Sequence, residues 1–223
     1  MKRKPKQREF GFVNHGGKRR GAGRKPKGKR AGVSHKQRPV LDPRYPVMVT
    51  MRLAEALPSM RYDDSHKIVR DVVAEVSERP DFKVIVYSVQ SNHLHLIVEA
   101  RSEDALGRGM NALTTRVAKR LNKLWRRKGK VFPDRYHARI LRTPRECRIA
   151  LIYVLQNSRK HGSWRALMPD VYSSGPAFDG WSSPVVRGAV SSPSYAGTPR
   201  TWLLAVGWRR LGLIDPREVP VAA

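Results

Sequence analysis

His93 and His95 sit one residue apart in the run Ser91-Asn92-His93-Leu94-His95-Leu96-Ile97-Val98-Glu99. Alternate side chains of a strand share a face, so the two imidazoles point one way while Leu94, Leu96 and Val98 point the other. They are about 7 Å apart along the chain, a spacing at which two neutral imidazoles can converge on one divalent cation. Tyr153 and Asn157 form a second pair, four residues apart. On a helix such residues lie one above the other. If that helix packs beside the histidine strand, the Asn157 amide oxygen completes a His93, His95, Asn157 set with positions left open for substrate. Such a set suits Mg2+ or Mn2+ bridged to a phosphate. Tyr153 beside it would be a nucleophile for phosphoryl transfer. A phenol of ordinary pKa about 10 needs in-line placement and loss of its proton, which the cation and nearby Lys and Arg would favour. Spacing alone leaves the packed-surface reading of the histidines and the core reading of Tyr153 open, and it does not bring Tyr153 to His93.

The charge says what such a site would act on. The 223 residues carry a net charge of +27, which points to a polyanionic partner, nucleic acid first. Residues 1–39 hold 15 Lys and Arg against Glu9 alone, and residues 108–148 hold 14 against Asp134 and Glu146. These two segments, net +14 and net +12, account for 26 of the 27 excess charges. Concentration of this kind favours a binding surface over general solubility. In the first segment the Gly-rich run 16–30 contains Arg19, Arg20, Arg24, Lys25 and Lys27. It cannot bury a core, so it is expected to be a disordered arm whose glycines let the backbone follow phosphates. A P-loop is excluded, because no Gly-Lys-Ser/Thr ends the run. In the second segment Arg116, Lys119, Arg120, Lys123, Arg135 and Arg139 are the candidate DNA contacts. A single cysteine, Cys147, excludes an intrachain disulfide and a cysteine-based zinc site. No apolar run approaches membrane-spanning length. The expectation is a cytoplasmic, nucleoid-associated protein with no membrane partner.

The elements that must position these residues follow from periodicity and punctuation. Strands are predicted over 45–53, 82–89, 92–100 and 135–141, the second and third forming an antiparallel hairpin. Ile68, Val69, Val72, Val73 and Val76 predict a helix over 65–78, with Pro80 beyond its end. Leu106, Met110, Leu113, Val117, Leu121 and Leu124 predict a long helix from Ser102 or Glu103. Thr143 as N-cap, Pro144 at N1 and Glu146 at N3 predict a capping box opening a helix that runs to about Lys160 and stops at Gly162. From Asp170 to Arg200, 15 of 31 residues are Gly, Ser or Pro, which predicts a linker or an irregular wrapping segment. Phe178, Trp181 and Tyr195 would pack parts of it on the domain. A terminal helix is predicted with Thr198 as its cap, Pro199 at N1 and Gly212 at its end. The expected organisation is a basic arm over 1–39, a domain over 40–162, and a Gly/Ser/Pro-rich tail with a short helix over 163–223.

Asn92-His93-Leu94-His95-Leu96-Ile97-Val98 resembles the His-hydrophobic-His signature of HUH endonucleases, and Tyr153-Val154-Leu155-Gln156-Asn157 resembles the tyrosine helix of single-tyrosine transposases. The Gly-Ala-Gly-Arg-Lys-Pro-Lys-Gly arm and Arg135-Tyr136-His137-Ala138-Arg139 are similar to blocks of the REP-associated tyrosine transposases within that group. The resemblance covers about residues 40–162, and both extensions more loosely. It implies an α+β fold, a ferredoxin-like antiparallel sheet with helices packed on one face. It implies single-stranded DNA with hairpins of repeated palindromes as partner, cleaved through a 5′-phosphotyrosine with a divalent metal. His93, His95 and Asn157 become the metal ligands and Tyr153 the nucleophile. It also implies a monomer, with a dimer as the alternative. Met48 stands in a strand where relatives often carry His, and the tail is longer than a catalytic core requires.

Two other readings compete. One is a domesticated, non-catalytic protein that recognises repeated palindromes; it has no need of His93, His95, Tyr153 and Asn157 together. The other is an RNA-binding protein of ribosomal type, which explains the charge and leaves that set to chance.

Overall fold

The computed structural model describes residues 40–160, 162, 168–184, 186 and 195–219. The expected arm over 1–39 lies outside the described residues. Four strands, β1 (Val47–Arg52), β2 (Phe82–Val89), β3 (His93–Ala100) and β4 (His137–Ile140), form one antiparallel sheet in the order β2-β3-β1-β4. Helix α1 (Asp63–Ser77) joins β1 to β2, α2 (Glu103–Leu124) joins β3 to β4, and α3 (Pro144–Leu155) follows β4. This is the α+β class expected.

Val47, Val49 and Met51 of β1 and Leu94, Leu96 and Val98 of β3 share one face and are buried beneath α1 and α2. Val69, Val72, Val73 and Val76 of α1 and Met110, Leu113, Val117 and Leu121 of α2 are fully buried in that layer. Gly109 lets α2 lie directly on the Phe82 ring, which a Cβ there would overlap. Ser102 caps α2, its hydroxyl accepting from Ala105 N–H at 3.1 Å. The helix closes with Arg126 in the left-handed region (φ 50°). Arg127 N–H then donates to Asn122 C=O and Arg126 N–H to Lys123 C=O.

The other face has its own core, and α3 supplies it. Cys147, Ala150, Leu151, Val154 and Leu155 pack on Ile85, Val86 and Ile97 of the sheet. The expectation of helices on one face therefore holds for α1 and α2 and is corrected for α3. A helix whose buried residues face Ile97 must lie opposite the Leu94–Leu96–Val98 layer, because neighbouring strand residues point to opposite faces. A bulge in β2 serves this division. Val84 pairs with Val98 and Val86 with Ile97, so Ile85 is the extra residue. Both Ile85 and Val86 reach the α3 core, while Phe82, Val84, Tyr87 and Val89 stay in the α1/α2 core.

The capping box is formed as the sequence predicts. Glu146 N–H donates to Thr143 Oγ1 at 3.1 Å, and the Glu146 carboxylate accepts from Arg142 N–H at 2.7 Å and Thr143 N–H at 3.1 Å. Those backbone donors hold its carboxyl below the usual carboxylate range. The continuous helix to Lys160 is corrected. α3 ends at Leu155, Gln156 leaves helical geometry (φ −109°, ψ 9°), and a separate turn, α4 (Asn157–Lys160), follows. The Gln156 amide meanwhile donates to Pro216 C=O at 2.8 Å.

The tail completes the α3 core. Trp181 and Trp208 are fully buried, with Phe178 against both rings, and Arg70 of α1 lies over Tyr195 at 4.3 Å. Arg61 and Asp170, nearly or fully buried, pair at 2.7 Å and tie the tail to the loop before α1. The terminal cap is Thr201, not Thr198. Thr201 Oγ1 accepts from Leu204 N–H of a single turn, Trp202–Ala205, which a 3-10 turn over Gly207–Leu211 continues to Gly212.

Candidate active site

Strand register builds the site. His95 lies directly across from Thr50 of β1, and Thr50 directly across from His137 of β4, so one row of the α3-facing surface reads His95, Thr50, His137. His93 faces Arg52 in the next row. The ring centroids of His93 and His95 are 4.7 Å apart at an interplanar angle of 83°. Asn92 Oδ1 meets His93 Nδ1 at 2.8 Å. An amide oxygen only accepts, so a neutral His93 carries its proton on Nδ1 and its lone pair on Nε2. Thr50 Oγ1 meets His95 Nδ1 at 3.0 Å, which orients that ring in the manner of an outer-shell partner.

α3 and α4 bring the other two residues. The Tyr153 ring stands edge-on to His95, centroids 5.1 Å apart, and Asn157 Nδ2 is 3.4 Å from His93 Nε2. The two do not share one unbroken helix, as their spacing predicted. Tyr153 closes α3 and Asn157 opens α4, and the break at Gln156 sends each to a different histidine. His93, His95, Tyr153 and Asn157 are thus drawn together from one strand and two helical segments.

The donor set fits a divalent cation. Asn157 is fully buried, and its Oδ1 has no hydrogen-bond partner among the described residues. A buried amide oxygen without a partner costs free energy that a cation would return. Two imidazole nitrogens and an amide oxygen suit Mg2+ or Mn2+ with further positions for substrate oxygens. Among the described residues no group of three or more His, Cys, Asp or Glu could hold a metal, so an asparagine third ligand is what this site offers.

Two expectations change. Burial by itself raises the Tyr153 phenol above its ordinary pKa, opposite in direction to the effect expected of a bound cation and nearby Lys and Arg. The candidate DNA contacts also divide. Arg135 and Arg139 are exposed at the β4 edge, and Arg139 lies on the site face across from Met48. Arg116, Lys119, Arg120 and Lys123 belong to α2, on the opposite side of the sheet, where Arg120 pairs with Glu75 at 2.6 Å and Arg116 approaches it at 4.0 Å. Arg19, Arg20, Arg24, Lys25 and Lys27 lie outside the described residues. Sequence reasoning missed Thr50, whose only signal is its parity in β1, and His137, which only the β1–β4 register places in the row.

Residues 55–155 match the family model of IS200-like transposases. The matched segment spans slightly less than half of the chain. It contains His93, His95 and Tyr153, while Asn157 and Thr50 lie just outside it. Among solved structures, the fold is similar to a REP-associated tyrosine transposase bound to a REP hairpin, with a TM-score of 0.54 and 16% identity over 75% of this chain and 99% of that one. A transposase structure from Deinococcus radiodurans is more distant, with a TM-score of 0.38 and 10% identity over 61% and 100% of the two chains. No curated protein sequence matches the chain. No helix among the described residues is long and apolar enough to cross a membrane.

Proposed function

We propose that the protein is a metal-dependent single-stranded DNA endonuclease and strand transferase acting through Tyr153 on hairpins of REP-like palindromes. The observation that carries this is the convergence of His93, His95, Asn157 and Tyr153 from separate elements. A packing role for any one of them would not require the other three. The IS200-like family match supports the transposase reading, and the REP hairpin bound by the similar structure supports the choice of DNA.

His93 Nε2, His95 Nε2 and Asn157 Oδ1 would hold Mg2+ or Mn2+, which supplies Lewis-acid polarisation of the scissile phosphate when bound. Thr50 and Asn92 keep the rings turned so that both Nε2 atoms face inward. The Asn157 amide turns about its last bond to present Oδ1 in place of Nδ2. Tyr153 Oη attacks phosphorus and loses its proton, a P–O bond forms to the phenol, and the 3′-oxygen of the upstream fragment leaves and is protonated. The 5′-phosphotyrosine conserves the energy of the broken bond. A 3′-hydroxyl, old or new, can then attack it and restore the phenol, which makes the reaction strand transfer. Arg135 and Arg139 flank this face and would hold phosphates of the same strand.

Incubation with palindromic hairpin DNA and Mg2+ or Mn2+ should yield a covalent adduct on a denaturing gel, abolished by chelator. An adduct that persists in Tyr153→Phe would move the nucleophile elsewhere. Binding without an adduct on any hairpin would leave a non-catalytic repeat-binding protein. Deletion of residues 1–39 should weaken binding and flatten its salt dependence, each lost phosphate contact lowering the slope by about one.

A further inference from the structure

A cavity of about 590 Å³ opens at the end of the sheet away from His93, lined by Tyr45, Glu99, Arg101, Arg142, Arg200 and Trp202, with Lys83 on its wall. Its volume is that of a small-ligand site. Trp202 leaves 49% of its surface exposed at the rim, although the other tail tryptophans among the described residues, Trp181 and Trp208, are fully buried.

The position of Trp202 is built. Glu99, 6% exposed at the end of β3, would be costly as a bare buried carboxylate. It is satisfied by Arg200 N–H at 2.8 Å, Thr201 N–H at 2.9 Å and Thr201 O–H at 2.7 Å. These three bonds anchor the chain one residue before Trp202, and the Thr201-capped turn fixes the indole. Asp81, the other carboxylate on the wall, is engaged by Arg79 and Arg108. By contrast, the side chains of Arg101 and Arg142 are exposed and make no hydrogen bond or ion pair among the described residues. Both carboxylates are thus occupied while cations and an aromatic face the opening. Trp202 as a residue is half exposed, with Arg210 over one side of its ring at 5.1 Å from the centroid, and an aromatic flanked by cations is the chemistry that holds an unpaired nucleotide.

The cavity and the histidine site lie at opposite ends of the same strand, β3. From His95 to Ala100 along β3 is about 16 Å at strand rise. The exposed β4 edge, separated from β3 by β1, carries Arg135, Arg139 and Arg142 in order from the histidine end to the cavity. At about 3.4 Å per nucleotide in a stacked strand, the distance is that of roughly five nucleotides. We propose that this cavity receives one unpaired nucleotide of the DNA strand engaged at Tyr153, with its base on Trp202 and its phosphates on Arg101 and Arg142. The proposal rests on the reading of the His93 face as the DNA-cleaving site.

The test is a binding titration with the full chain in metal-free buffer, so that it does not depend on cleavage. Synthetic DNA hairpins carry oligothymidine extensions of increasing length on the 5′ or the 3′ side. One side should gain affinity once the extension reaches the cavity, and an abasic residue at one position should cost about tenfold. Trp202→Ala should erase that positional sensitivity and leave the bare hairpin unaffected. Arg142→Ala should weaken the same extension and covers the case in which Trp202→Ala folds poorly. Equal extension dependence in wild type and both variants would overturn the proposal. So would a free nucleoside monophosphate that binds the cavity without competing with the extension. Failure of the cleavage reading would look different, as no covalent adduct from the wild type with metal while the extension effect remains.

Discussion

On the α1/α2 side of the sheet, Val47, Val49, Leu94, Leu96 and Val98 meet Val69, Val72, Val73, Met110, Leu113 and Val117, all fully buried. On the α3 side the same strands present Thr50, His93, His95 and Glu99 among Met48, Ile85, Val86 and Ile97. The first face is closed by α1 and α2, each lying in the connection that follows its strand. The second is closed by α3 and by tail residues as distant as Trp208 and Ile214. Apolar burial is non-directional and can be satisfied locally. A polar row needs partners at particular positions, and here they come from far along the chain. The wholly apolar face and the polar row thereby lie on opposite sides of one sheet, and the α3 side combines that row with a core of its own.

This division can be broken by substitution, and the largest effect belongs to the chemical side. Tyr153→Phe should abolish the covalent adduct on denaturing gels while hairpin affinity stays within twofold and thermal stability is unchanged. Gly109→Ala drives a methyl into Phe82 on the other side. It should destabilise by about 1–3 kcal/mol in urea titrations, with adduct formation per folded molecule preserved. Thr50→Val removes the hydroxyl at His95 Nδ1. The divalent-ion concentration for half-maximal adduct should rise about tenfold, with little change in the urea midpoint. A fall in stability to match would mean that Thr50 serves packing. Arg135→Ala should lower the salt slope of DNA binding by about one, and Arg139→Ala, whose guanidinium also lies 3.7 Å from the Glu146 carboxylate, should lower it by less. Arg120→Ala, whose side chain is committed to Glu75 on the far side, should leave that slope nearly unchanged.

The smallest expected effect is a pH dependence on the α1/α2 side. Burial lowers the His66 pKa from 6.5 to about 4. The folded protein holds this ring neutral while the unfolded chain protonates it, so its contribution is present above pH 6.5 and declines as the pH falls toward 4. Between pH 7.5 and 5, wild type should lose more stability than His66→Phe. Parallel curves would remove His66 as the cause.

How much was legible in the chain differs in the same way between the two sides. The six-residue apolar stripe of α2 and the valines of α1 are periodic at 3.6, and periodicity survives any tertiary context that buries one face. The Thr143–Pro144–Glu146 cap is equally local, because all its donors and acceptors lie within four residues. The break at Gln156 was not legible, since the amide that helps end α3 bonds to Pro216, sixty residues on. Thr198-Pro199 reads as well as a helix start as Thr201 does, and only the carboxylate of Glu99, about a hundred residues away, selects Thr201. The clustering of basic residues was plain in composition. Which of them share a side with the histidines was not, because linear order carries no information on which face of the sheet a crossing helix takes.

By itself, then, the sequence determined the elements, their caps, the apolar face of β3 and the two histidines pointing away from it, because each depends on residues within a turn or two. The tertiary structure decided that α3 crosses to the histidine side, that a break places Tyr153 on His95 and Asn157 on His93, and that Thr50 orients one of the rings. These are contacts between segments separated by roughly fifty residues or more, where loop closure and packing of the whole chain, and not local propensity, choose the partner.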